Sequence, residues 1–149
     1  MAWKETTGAA TGDELEKSEL WADFSGMESL KDTSPVMLYF YLPDEETENA
    51  DILNMIRNCR LMEENVFAHE AVRKVSVNFH CFKCDFKELS DTLKKKYGVK
   101  IVPKAIFFDV RGKKVNQLTN SKADPEDLAK KMNSIVAECK KMLNNAKGK

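Results

Sequence analysis

No apolar run in this 149-residue chain approaches the roughly 20 residues that span a bilayer, so a membrane-crossing helix is not expected. The start, Met1-Ala2-Trp3-Lys4-Glu5, lacks the apolar stretch of a secretory leader. Cysteine is sparse: four residues, at 59, 81, 84 and 139, do not make a dense disulfide framework. That usage favours a reducing, cytoplasmic compartment, with an exported protein stripped of its leader as the alternative. His80 beside Cys81-Phe82-Lys83-Cys84 is a possible ligand, but zinc needs four convergent donors and no second cluster exists, so no metal is expected. Net charge is also missing, since 24 Lys and Arg balance 24 Asp and Glu. Neither a nucleic-acid nor a membrane partner is therefore expected. Nothing implies a cofactor.

What is present suits one domain. Hydrophobic residues make up 42% of the chain, enough for a single core at this length. Charge is unevenly spread: residues 1–70 carry 5 Lys and Arg against 16 Asp and Glu, and residues 71–149 carry 19 against 8. In an interleaved fold, sequence halves are not spatial halves, so a solvated, self-complementary surface is favoured over a dipolar face that steers a partner.

Residues 1–12, small and polar, are expected to form a disordered lead to a single domain over 13–149. Asp13 can cap a helix containing Leu15, Leu20, Trp21 and Phe24, and a second helical turn passes through Met27 and Leu30. Val36 to Leu42 is continuously apolar and reads as a strand buried on both faces, central in a sheet. Pro43 to Asp51 is acidic and precedes a helix running through Ile52, Ile56, Cys59, Met62 and Val66. Phe79 to Cys84 reads as a strand. Phe86, Leu89, Leu93 and Tyr97 give helical spacing on the element after it, which Gly98 closes. Lys104–Asp109 and Lys113–Leu118 flank a turn at Val110-Arg111-Gly112 and form an antiparallel hairpin. Asp124-Pro125 opens a last helix whose apolar stripe is Leu128, Met132, Ile135, Cys139 and Met142.

The segment Cys59-Arg60-Leu61-Met62-Glu63-Glu64-Asn65-Val66-Phe67 resembles the second half of a thioredoxin-type motif, C-x-x-C-K-x-M-E-x-x-V-F. The likeness extends through Asn78–Asp85, Tyr97-Gly98-Val99 and Val102–Asp109, covering about residues 20–145. It implies an α/β, thioredoxin-like three-layer fold, with a central mixed sheet, helices on both faces and an N-terminal helical extension. Cys59 takes the place of the second cysteine. Ile56 stands where the attacking thiol belongs, and an isoleucine cannot attack a disulfide. Cys81 and Cys84 lie three apart on a strand and so point to opposite faces, which rules out a bridge between them. The resemblance puts Cys84 on a core-facing position and Pro103 at the family's cis-proline, with the Val102 backbone offered to an extended peptide. Lys104 replaces the family's usual threonine.

Two functions follow. One is a binding module that has lost dithiol chemistry and holds a protein or peptide client in a groove formed by Ile56, Cys59, the acidic loop, Val102, Pro103 and Lys104. The alternative is a monothiol redox enzyme acting through Cys59, which requires thiolate character; Arg57 and Arg60 would favour it and burial would oppose it. Oligomeric state is not readable from the chain.

Overall fold

The computed structural model describes residues 4–5, 34–111, 113–119 and 121–147. Its strands are β1 (Lys4–Glu5), β2 (Val36–Tyr41), β3 (His80–Asp85), β4 (Lys104–Phe108) and β5 (Lys114–Leu118). Its α-helices are α1 (Ala50–Leu61), α2 (Glu70–Ser76), α3 (Asp91–Tyr97) and α4 (Pro125–Lys147). The sheet order is β1-β3-β2-β4-β5. β2 lies parallel to β3 and antiparallel to β4, in the register Met37 to Cys81 and Met37 to Phe107. β5 returns antiparallel to β4, completing the expected hairpin.

The middle position of β2 follows from its residues. Val36 through Phe40 are all buried, so the strand needs cover on both faces. Alternation then divides the core in two. Val36, Leu38 and Phe40 pack with Phe82, Cys84, Ile106, Phe108 and the α3 residues Leu93 and Tyr97. Met37 and Tyr39 pack with Cys81, Phe107, the α2 residues Val72 and Val75, and Leu128, Met132 and Cys139 of α4. Cys81 and Cys84 thus occupy opposite layers, and all four cysteines are free and buried. The result is the α/β sandwich expected from the sequence, with a mixed sheet between helical layers.

Three expectations need correction. The lead over residues 1–12 is not wholly unstructured, because Lys4–Glu5 pairs with Phe82–Lys83 along the open edge of β3. Unpaired backbone groups on a sheet edge accept an extended segment whatever its side chains. The rest of that lead, and the helices placed over residues 13–33, lie outside the described residues. The helix through Cys59 is also not uniform. After Leu61 it widens into a π-helical segment over Met62–Phe67 and then breaks, and His69 Nδ1 accepts the Ala71 N–H at 3.1 Å to start α2. Finally, Phe86–Glu88 is a 3₁₀ turn rather than the start of α3. Ser90 Oγ accepts the Leu93 N–H at 3.2 Å, and Leu89 is extended, so α3 starts at Asp91.

α3 ends at Gly98, which has φ +63°. Lys104 Nζ donates to the carbonyls of Tyr97 and Gly98 at 3.2 and 2.9 Å, satisfying acceptors left open by the helix end. A Cβ added at Gly98 would meet Lys104 Nζ at 3.7 Å, an ordinary contact. Gly98→Ala should therefore lower stability by about 1 kcal/mol through backbone strain alone. Urea denaturation would show this as a lower midpoint with an unchanged slope; an unmoved midpoint would remove the requirement for a left-handed residue here.

Candidate functional site

Asn49 caps α1, its Oδ1 accepting the N–H groups of Asp51 and Ile52 at 2.9 and 3.1 Å. Cys59 therefore lies nearly three turns along the helix, about 15 Å from that cap at 1.5 Å per residue. The field of the helix N-terminus fades within its first turn, so Cys59 receives none of the thiolate stabilisation available at a helix mouth.

α1 also crosses from one layer to the other. Ile52, Met55, Ile56 and Cys59 pack on the α3 side. Met62, Val66 and Phe67, in the widened continuation, pack on the α2 and α4 side. Cys59 is left 1% exposed and Ile56 7%. Burial pushes the Cys59 thiol up, and the Glu63 carboxylate adds to this; the Leu42 backbone N–H, the Tyr39 hydroxyl and the Lys83 ammonium act the other way.

Beneath this crossing lies a polar group that sequence reasoning missed. The Tyr39 hydroxyl is 3.3 Å from the Cys59 carbonyl and 3.2 Å from Glu63 Oε2, and burial raises its pKa, keeping it a neutral donor. Lys83, opposite Tyr39 in the sheet, donates to Glu63 Oε1 at 2.7 Å and sits 4.3 Å from the centre of the Tyr41 ring. A tyrosine inside a doubly buried strand signals that its hydroxyl needs a partner. Its partner could not be chosen from sequence, because Glu63 arrives through the widened turn, where the Ala68 N–H bonds the Glu63 carbonyl.

The expected groove is not an open one. Val102, Pro103 and Lys104 are buried, as are Ile56 and Cys59. The Val102–Pro103 peptide bond is cis, and Ile101 beside it is 66% exposed. Leu42 and Ile56 share one buried cluster with Cys59 and Val102, and Ile52 and Met55 from the early turns of α1 pack against that cluster. The open space lies on the outer side of the crossing. There the arm 42–49, without regular secondary structure, runs beside α1 and leaves a cleft of about 450 Å³ over Tyr41, Pro43, Arg60, Glu63 and Lys83. A second hollow of about 520 Å³, walled by Glu45, Glu46, Leu53 and Arg57, shares Asp44, Ile56 and Arg60 with the first. The arm is held by ion pairs from Asp44 to Arg60 and from Glu45 to Lys87. Of the groove expected from sequence, Ile56 and the acidic loop line these hollows, while Cys59, Val102, Pro103 and Lys104 do not. Leu53, on the exposed side of α1, was read from sequence as part of the helix and not as a site residue. Among the described residues, no three His, Cys, Asp or Glu side chains converge as a metal site, and no helix is long and apolar enough to cross a membrane.

No protein-family model and no curated protein matches this chain. Solved structures do. A protein described as DsbH oxidoreductase aligns with a TM-score of 0.56 at 16% identity, covering 92% of this chain and 85% of its own. Thioredoxin from Fasciola hepatica aligns with a TM-score of 0.51 at 19% identity, covering 84% and 94%. The germline-specific thioredoxin Deadhead from Drosophila melanogaster gives 0.51 at 19%, covering 90% and 98%. At such identities the likeness establishes the fold, which is thioredoxin-like, and not the chemistry.

The buried thiols give this arrangement a pH dependence. Burial pushes Cys84 up to about 12 from an ordinary 9.0 and moves Cys59 and Cys139 in the same direction. Above the ordinary value the unfolded chain has released protons that the folded chain retains. The associated stability is complete below it and is lost as pH rises toward the folded values. Lys104, lowered by burial and then by the Lys114 charge, acts in the opposite sense. The urea midpoint should therefore fall between about pH 9 and pH 10.5, and more steeply in the wild type than in Cys84→Ala. Equal slopes would remove Cys84 as a source of alkaline lability.

Proposed function

We propose that this chain is a thioredoxin-fold protein-binding module without dithiol chemistry, and that the cleft between arm 42–49 and α1 holds a segment of its client. The observation that carries this reading is Cys59, 1% exposed well inside a helix, with Ile56 in the place three residues before it. A disulfide exchange enzyme needs an accessible thiolate to attack and a second thiol to release the mixed disulfide. This chain offers neither at that position. The monothiol alternative meets the same obstacle, since burial both covers the sulfur and disfavours its ionisation.

The cleft supplies what a peptide site uses. Leu53 is 41% exposed and offers apolar contact, while Arg57 of α1 and Glu46 of the arm line the same hollow as charged groups. Pro103 and Val102, the family's peptide-pairing position, lie buried, so the binding surface moves outward from that place to the outer side of the added helical turns.

Two measurements check this. The wild type should not reduce insulin disulfides, and Ile56→Cys should remain inactive because position 56, 7% exposed, lies about two turns inside α1, beyond the helix end that would activate a thiol; turnover by the wild type would overturn the reading. Peptides selected from a display library against the whole chain should shift amide resonances over residues 42–64 and lose binding by about tenfold or more in Leu53→Asp, an exposed substitution that spares the fold. Shifts confined to other residues would place the client elsewhere.

A further inference from the structure

The end of α3 carries a second surface, independent of the cleft. Lys94, Lys95 and Lys96 occupy the last helical turn, and Lys100 follows two residues after Gly98. Lys104 brings its ammonium to the same place, donating to the Tyr97 and Gly98 carbonyls. An ammonium has three donors, so one of its N–H groups remains beyond those two bonds. Tyr97 packs edge-on against Phe108 at 6.0 Å, and Phe108 is paired in the sheet with Lys114, which brings a sixth cation to this corner. The Lys114 charge is felt at Lys104, after burial, as a lowering of its pKa.

Lys94, Lys95, Lys100 and Lys104 make no ion pair among the described residues. Two carboxylates lie nearby. Asp91 sits one turn before Lys94 and Lys95 on α3 without closing an ion pair to either, and Asp109 accepts the N–H groups of Arg111 and Lys113 at 2.8 and 3.0 Å. Like charges gathered without compensation raise the energy of the free surface, and an anionic partner relieves it.

We propose that this lysine corner docks a short acidic segment of a partner protein. The border of the patch decides the kind of anion. Lys94 lies over the Phe86 ring at 4.5 Å, and the next residue, Lys87, is ion-paired to Glu45 of the acidic arm. An extended anionic surface, such as a lipid bilayer or a nucleic-acid duplex, would bring its charge against Glu45, Glu46 and Glu48. A short acidic segment fits inside that boundary and meets cations alone.

The test uses the full chain and a short fluorescein-labelled peptide of alternating glutamate and valine, followed by anisotropy. Binding should saturate at about 50 mM NaCl and weaken sharply by about 200 mM. The Lys95→Glu and Lys100→Glu double variant, both sites exposed, should weaken it by about tenfold or more. Lys140→Glu, on α4 across the sheet, should leave it unchanged. Absence of binding at low salt, or equal weakening by Lys140→Glu, would overturn the proposal. So would a double variant that loses sedimentation with phosphatidylserine vesicles while neither protein binds the peptide, which would assign the corner to a membrane surface.

Discussion

A hydroxyl in the middle strand of a sheet covered on both faces must find a partner within the protein. Tyr39 is fully buried, and its hydroxyl meets the Cys59 carbonyl and the Glu63 carboxylate. Leaving such a group unsatisfied would cost about 1–3 kcal/mol. Much of the surrounding geometry is consistent with that one requirement. The helix that carries Cys59 has to pass over Tyr39, the widened segment after Leu61 has to deliver Glu63, and Lys83 on the neighbouring strand compensates the carboxylate so introduced. The ion pair is only partly covered, at 28% and 32% side-chain exposure. Solvent screening therefore keeps its own contribution small, and its role is better read as fixing the position of Glu63 than as adding stability.

That crossing decides what Cys59 can present to solvent. Here α1 begins well before Cys59 and closes over it, and an acidic arm lies along the outer flank. The N-terminus of α1, where a helix could activate a thiol, is capped by Asn49, ten residues before Cys59. The outer flank presents an apolar side chain at Leu53 with charges of both signs within reach.

How much of this was legible in the sequence depends on the kind of force involved. Buried strands and amphipathic helices announce themselves through apolar periodicity, so β2, the β4–β5 hairpin, the Asp124-Pro125 start of α4 and the opposite facing of Cys81 and Cys84 were all readable. The breaks at His69 and Ser90 were less visible, because each depends on one side chain accepting a backbone N–H two or three residues ahead while the apolar spacing continues through the break. Closure of the groove was hidden for a different reason. The resemblance placed Cys59, Val102 and Pro103 near one another, but whether a site is open depends on what lies above it, and the path of α1 across the sheet is a tertiary outcome.

The distribution of sulfur through the interior has a consequence of its own. Cys59 and Cys84 belong to the layer shared with α3, while Cys81 and Cys139 belong to the layer shared with α2 and α4. Each half of the sandwich thus holds two sealed thiols, and neither pair can be reached by a reagent unless its own layer parts from the sheet. The chain carries an internal clock for partial opening: the order in which its sulfurs become reactive under mild denaturant reports which helical layer detaches first, without any label being added.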